Sequence, residues 1–306
     1  MLYHRRIIIL AILEEMGGSI TAKCLQKYLF LYSRMNRSDH KFFDFVPYKY
    51  GCFSFVANND LNILATQGYI SIEDDQNSER RYKLLHNMGS CRDLDIFETS
   101  YVKDICSKYG ALTQDELIAE TYRSYPYTAI NSIIKERLLN SDELERVSRQ
   151  KERTQSNEPI LMTLGYEGIS LEKYLNTLIQ SGIRVLCDVR KNAYSQKYGF
   201  CKKTLQTACE GIGIQYVHVP ELGIDSDYRK NLKCQQDYDD LFDLYESTIL
   251  KNNAYYLLEV RKLITKYDRL CLLCFEKDPR QCHRTRIATA LMQLPDANYQ
   301  YLPMIM

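Results

Sequence analysis

The sequence predicts two domains of different class. Residues 1–140 read as a mainly α, winged-helix-like domain, and residues 160–306 as a parallel-sheet α/β domain, a three-layer sandwich of the flavodoxin-like or Rossmann-like kind. Three observations carry this. The chain of 306 residues is long enough for two cores. The segment SDELERVSRQKERTQSNEP, residues 141–159, is charge-dense, nearly free of apolar residues and ends on Pro159, which marks a linker. Across it the rhythm changes from helices with one β-ribbon to strands alternating with helices.

In the first half, residues 5–16 form an apolar helix stopped by Gly17-Gly18. Its start, MLYHRRIIILAILEEM, is no secretory signal, because the apolar run is short, Glu14 and Glu15 follow at once, and no small-residue cleavage site appears. Thr21 caps a second helix running to about Met35. Residues 57–67 suggest a third helix, and YISIEDDQNSERRYKLL reads as two strands around a polar turn. Three helices followed by a β-ribbon is the winged-helix pattern. Thr113 and Glu116 then form a capping box at the start of TQDELIAETYRSYP, and another helix is expected from about Tyr127 to Leu139. A winged helix contacts DNA or a protein partner. Residues 1–83 carry 11 Lys and Arg against 9 Asp and Glu. The wing mixes Glu73, Asp74 and Asp75 with Arg80, Arg81 and Lys83. Neither gives the clear basic stripe expected of a DNA reader.

In the second half LMTLGY is a short strand, and Ser170 caps the helix SLEKYLNTLIQSG, which Gly182 stops. IRVLCDVR is a strand, FCKKTLQTACEG a helix and IQYVHVPELG a third strand. A helical stretch covers about Gln235 to Tyr267, RLCLLCF is a fourth strand, PRQCHRTRIATALMQ a helix and NYQYLPMI a fifth strand.

Net charge is +1, so no global field favours nucleic acid, membrane or acidic substrates. No stretch approaches the ~20 apolar residues of a membrane span. The odd count of 11 cysteines in a long chain without a secretory signal predicts reduced thiols in the cytoplasm. The 25 tyrosines favour half-polar packing, and tyrosine-rich helices could equally be a homodimer surface.

In open α/β sheets ligands bind outside the carboxyl ends of the strands. Those ends carry Gly165-Tyr166-Glu167-Gly168, Asp188-Val189-Arg190, His218 running into Glu221-Leu222-Gly223, and Cys274-Phe275-Glu276. In CLLCFEKDPRQCHR, residues 271–284, Asp278, Pro279 and Gln281 read as helix-start grammar with Asp278 as N-cap. Cys274 and Arg280 match the Cys-x5-Arg spacing of cysteine phosphatases, but Glu276 and Asp278 would repel a dianion and no glycine relaxes the loop. A zinc reading of Cys274, Cys282 and His283 fits no standard ligand spacing, and adjacent residues point about 100° apart on a helix. No metal ligand set is therefore assigned. A third reading has the helix start, Arg284 and His283 hold an anionic or polar ligand, on which Asp188, Glu221 and Glu276 act as acids or bases. Cys282 in a first helical turn could be an activated thiol, or both cysteines could be core fillers, and the sequence leaves these open. The loop KNAYSQKYGF, residues 191–200, with Ser195, Phe200 and nearby Lys202 and Lys203, suits a substrate lid or a stacking and phosphate-contacting loop.

These motifs carry a family resemblance. TLGYEG, VLCDVRKNAYSQKYGFCKKTL, IQYVHVPELG and LLCFEKDPRQCHRTRIATAL, over about residues 160–291, resemble the successive motifs of domain of unknown function 488. The family's Gly-Tyr, Asp-Val-Arg, Gly-Phe-x-Lys, His-x-Pro-Glu-Leu-Gly and Cys-x-Glu followed by Cys-His-Arg fall on Gly165-Tyr166, Asp188 to Arg190, Gly199-Phe200 with Lys202 or Lys203, His218 to Gly223, and Cys274 to Arg284. Ala193 and Gln196 stand where relatives often have Pro and Arg. The resemblance implies an α/β domain with an active site, without naming a reaction. CLQKYLFLYSR followed by YKYGCFS is similar to the antitoxin-associated Panacea domain, which implies a defence setting.

The expected function is an enzyme acting on a nucleotide, nucleic acid or sugar-phosphate compound. The alternatives are a ligand-sensing regulator whose first domain contacts DNA or protein, and a thiol-dependent enzyme. The candidate catalytic residues are Asp188, Cys274, Glu276, Cys282 and His283. The candidate substrate-binding residues are Gly165, Tyr166, Arg190, Ser195, Phe200, Lys203, His218, Glu221 and Arg284. No cofactor is specified.

Overall fold

A computed structural model describes residues 2–36, 42–74, 79–229, 232–295 and 297–304. The chain divides into two compact units, Met1–Lys151 and Glu152–Met306. Among the described residues no helix is long and apolar enough to cross a membrane, and all 11 cysteines are free.

The first unit contains α1 (His4–Glu15), β1 (Ser19–Thr21), α2 (Ala22–Met35), β2 (Val46–Tyr48), β3 (Gly51–Phe53), α3 (Phe55–Thr66), β4 (Ile70–Asp74), β5 (Arg80–Leu84), α4 (Ile96–Tyr109), α5 (Gln114–Ser124), α6 (Lys135–Leu138) and α7 (Ser141–Glu152). β1 pairs with β5 and β5 with β4, all antiparallel. Residues 75–78 of the predicted wing, Asp75 among them, lie outside the described residues. Thr21 accepts from the Cys24 amide at 3.3 Å, and Thr113 with Glu116 closes the capping box of α5. The helix expected over Tyr127–Leu139 shrinks to a 3₁₀ turn at Pro126–Ala129 and the single turn α6. Tertiary bonds outcompete it: Asn131 donates to the Pro47 carbonyl and the Ile133 amide to the Lys49 carbonyl, both at 3.0 Å. The polar segment begins as helix α7, in which Val147 is the buried residue.

The second unit contains β6 (Ile160–Gly165), α8 (Leu171–Gln180), β7 (Val185–Asp188), α9 (Lys202–Glu210), β8 (Gln215–His218), α10 (Gln235–Tyr245), α11 (Ala254–Tyr267), β9 (Arg269–Cys274), α12 (His283–Met292) and β10 (Gln300–Met304). A π turn, Glu246–Leu250, interrupts the helical stretch between α10 and α11. The strands form one parallel sheet in the order β10-β6-β9-β7-β8. Every residue of β6, β7 and β9 is buried, as expected of strands covered on both faces. Leu270 and Leu272 of β9 pack with α10, α11 and α12. On the opposite face α8 places the Tyr174 hydroxyl 3.5 Å from the Leu164 carbonyl. The layers are thus helix, sheet, helix, but the strand order is neither flavodoxin-like nor Rossmann-like. Both of those set the first strand beside the second. Here the β6-to-β7 crossover skips a position, and β9 fills the gap.

The start of α12 also differs from expectation. Asp278 accepts from the Arg280 amide at 2.9 Å, but this cap closes only the 3₁₀ turn Pro279–Gln281. Thr285 takes the Pro279 carbonyl at 2.7 Å, Cys282 is extended (φ −135°, ψ 130°), and the helix restarts at His283. Cys282 is therefore the N-cap of α12, not a first-turn residue. Cys282 and His283 therefore do not diverge as two neighbours on a helix surface would.

Candidate functional site

The carboxyl ends of β6, β7 and β9 meet at a cavity of about 550 Å³. Tyr166, Arg190, Lys191, Asn192, Tyr194 and Ser195 line one part; Ile224, Asp225, Arg229, Cys274, Phe275, Glu276 and His283 line the rest. Of the residues expected from sequence, Tyr166, Arg190, Ser195, Cys274, Glu276 and His283 reach this space.

The β7 end is closed. Asp188 is fully buried. Its carboxylate accepts from Arg190 Nε (2.8 Å) and Nη2 (2.5 Å), the Arg190 amide (3.1 Å) and the Tyr216 hydroxyl (2.6 Å). Arg190 Nη1 donates to the Tyr166 hydroxyl at 2.8 Å and the Phe200 carbonyl at 3.0 Å. Burial alone would lower the Arg190 pKa, but the Asp188 partner more than offsets it and raises it. A bidentate buried pair with these bonds satisfied is a fixed strut. Asp188 does not line the cavity, and Arg190 borders it with its donors spent on protein groups. Phe200 is buried and stacked on Tyr166, ring centroids 4.1 Å apart, so it supports the wall. His218 is 2.9 Å from the Arg190 carbonyl and 3.3 Å from Lys202 Nζ, beside the strut. Lys203 is exposed on α9. Glu221 lies beside Tyr256 of α11, and its charge raises the pKa of that hydroxyl.

The β9 end is open. Arg284 is fully buried and donates to the carbonyls of Glu276 (2.5 Å) and Lys277 (3.2 Å), which fixes the turn that presents Glu276. Gly165 belongs to the same support: an added Cβ there would collide with the Glu276 carbonyl. Gly223 lets the Lys191 backbone pass at similarly close range. His283 Nε2 is 3.0 Å from the Val189 carbonyl, and its Nδ1 is 2.7 Å from Arg229 Nη2. A guanidinium can only donate, so Nδ1 is the acceptor and Nε2 carries the proton. Cys274 Sγ lies 3.7 Å from that Nδ1 and 3.2 Å from Glu276 Oε2. Glu276 also pairs with Arg229. Burial pushes the Cys274 thiol up, and its contact to Glu276 is one that only the protonated thiol can donate. The Cys282 hydrogen bond and the Arg229 charge act the other way and lower it. Burial and Cys274 itself push Cys282 well above the ordinary thiol range. The ligating atoms of Cys274, Cys282 and His283 all lie within 4.8 Å of one another.

Arg229 and Asp225 escaped the sequence reading. Their only signal was a polar run, IDSDYR, directly after the third strand end. A second cavity, of about 660 Å³, lies in the first unit between Lys23, Lys27, Tyr48, Tyr50, Phe53 and Arg80. The Lys27 ammonium there is buried and donates to the Tyr50 carbonyl at 2.6 Å.

The second unit is an all-parallel α/β domain with polar side chains gathered beyond its strand ends. More particularly, residues 170–291 match the model of a family described as Domain of unknown function DUF488. The match runs from the cap of α8 to the last turns of α12 and contains both strand ends just described. No curated protein matches the chain.

Proposed function

We propose that the second unit is an enzyme whose chemistry takes place in the rim cavity, on a nucleotide, nucleic-acid or sugar-phosphate compound. The carrying observation is the convergence of the Cys274 thiol, an imidazole, a carboxylate and a guanidinium on one wall of that cavity, with the Cys282 thiol buried close to Cys274 and His283. Tyr194 and Phe275, 70% and 43% exposed, offer faces for a base or sugar ring. Lys191, Asn192 and Ser195 offer donors to phosphate or sugar oxygens. Glu276, paired with Arg229, is the acid or base. The thiol-dependent reading gains from the same wall, since Cys274 sits between an imidazole and a guanidinium.

The test uses the full chain with AMP, ADP, ribose 5-phosphate and a short single-stranded oligonucleotide. Binding is read by the shift in Tm, turnover by mass spectrometry. At least one compound should bind with Kd below about 1 mM and be converted. Glu276→Gln should keep binding and lose about 100-fold or more in turnover. No shift with any of the four compounds would sink the reading. Equal turnover in Glu276→Gln would remove Glu276 from the chemistry.

For the first unit we propose the winged-helix-like reading, with DNA or a protein as partner. Its support is the pairing of β1 with the β4–β5 ribbon beside α1, α2 and α3. The mixed charge of the ribbon, where Asp74 lies 3.7 Å from Arg80, favours protein over DNA. A size-exclusion shift with duplex DNA at physiological salt would reverse that preference.

A further inference from the structure

We propose that Cys274, Cys282 and His283, with Glu276 as fourth ligand, bind a single thiophilic divalent cation of the zinc class. This rests on the same wall as the enzyme reading, and names the cofactor that wall would hold.

Two sulfurs, one imidazole nitrogen with its lone pair outward and one carboxylate form a set that suits zinc. Distance comes next. Tetrahedral zinc bonds sulfur at about 2.3 Å and nitrogen at about 2.0–2.1 Å, which sets the two donors about 3.6 Å apart. Cys274 Sγ and His283 Nδ1 are 3.7 Å apart. All three Cys and His ligand atoms fall within 4.8 Å of one another, so small rotations close the set. The imidazole is already oriented for the task. Its Nε2–H is held by the Val189 carbonyl, the support that metal-bound histidines receive. The backbone explains why adjacent residues can both point inward: Cys282 is extended and His283 opens the helix.

Charge gives a second line. In the structure Arg229 is the cation facing these groups, touching both Glu276 and His283 Nδ1. It stands on a short 3₁₀ turn, Ser226–Arg229, with a side chain 22% exposed, so it can swing into the cavity. Two thiolates and a carboxylate, offset by buried Arg284, leave a net charge opposite to that of a divalent cation. Binding takes the sulfurs as thiolates, and any thiol protons pass to solvent. Glu276 at the fourth position would be exchangeable, since it lies at the cavity wall where a substrate oxygen could replace it.

The test uses full-length protein treated with chelator and reduced, then supplied with zinc alone or cobalt(II) alone. Zinc should bind at one per chain. Cobalt should give a near-ultraviolet thiolate-to-metal band together with visible bands of tetrahedral intensity. Cys282→Ser should weaken zinc affinity by about 100-fold or more, while Cys234→Ser, at an exposed position on the N-cap of α10, should leave it unchanged. The wild-type cobalt spectrum needs no variant, so it decides even if Cys282→Ser fails to fold. Absence of the thiolate-to-cobalt band overturns the proposal, and so does wild-type zinc affinity in folded Cys282→Ser. Failure here is separable from failure of the enzyme reading. Turnover by metal-free protein with no cobalt band sinks only the metal, and zinc binding with no shift for any of the four compounds sinks only the substrate class.

Discussion

The ends of β7 and β9 lie side by side in the sheet, Asp188 opposite Leu273, and both carry acidic and basic side chains, yet they do opposite things. At the β7 end each charge is spent. Asp188 and Arg190 face each other in a bidentate pair, with Tyr216, Tyr166 and Phe200 taking the remaining valences. At the β9 end the acceptors outnumber the donors. Cys274, Glu276 and His283 Nδ1 all face Arg229, a side chain borrowed from a loop. A charged residue at a strand end is thus a strut when its partner comes from the next two residues, and a site when its partner must be recruited from elsewhere.

The strongest test of this contrast is Asp188→Ala. Removing one member of a buried pair leaves the other charge uncompensated, which costs about 3–5 kcal/mol. Urea unfolding of the second unit should show that loss. A change within about 1 kcal/mol would mean that Arg190 is not held as a strut and is available to a ligand.

Gly165→Ala should rank next. The new methyl meets the backbone carbonyl of Glu276 and the end of the Arg284 side chain. Overpacking of this kind costs about 1–3 kcal/mol. Unlike Asp188→Ala, it should also displace Glu276 and weaken ligand binding in the cavity, so stability and binding should fall together. Unchanged binding would detach Gly165 from the open end.

Local grammar was legible in the sequence, and so was the list of strand ends. Ser170, Thr113 and Thr21 cap helices where their spacing says they should, because a cap involves only residues within one turn. The parallel sheet followed from the alternation of strands and helices. Two features did not follow, each set by a contact that reaches beyond one helical turn. The strand order depends on β9 returning between β6 and β7, which no local pattern encodes. The start of α12 depends on Thr285 reaching back to Pro279, and that shift decides whether Cys282 and His283 converge. The site was half legible for the same reason. Cys274, Glu276 and His283 stand out as residue types at a strand end. Asp188 and Arg190 stand out equally, and only their mutual distance removes them. Arg229 looked like any loop arginine, because its role exists only through residues 47 and 54 positions away.

The smallest expected effect on stability belongs to Glu276→Gln, and it is the sharpest probe of the open end. Glu276 and Arg229 are both partly exposed, and ion pairs at such positions contribute about 0–1 kcal/mol. The amide keeps the volume and one hydrogen-bond acceptor, so the unfolding midpoint should scarcely move. The Glu276 backbone, held by Arg284, should not move either. What the substitution removes is a negative charge beside Cys274 and the anchor of Arg229. Zinc affinity should therefore fall, and Arg229 should be released from His283. Asp188→Ala, by contrast, should weaken the whole unit, with zinc affinity changing only as far as the fold does. If Glu276→Gln instead cost as much stability as Asp188→Ala, the two strand ends would be the same kind of structure, and the β9 end would lose its claim to be the site.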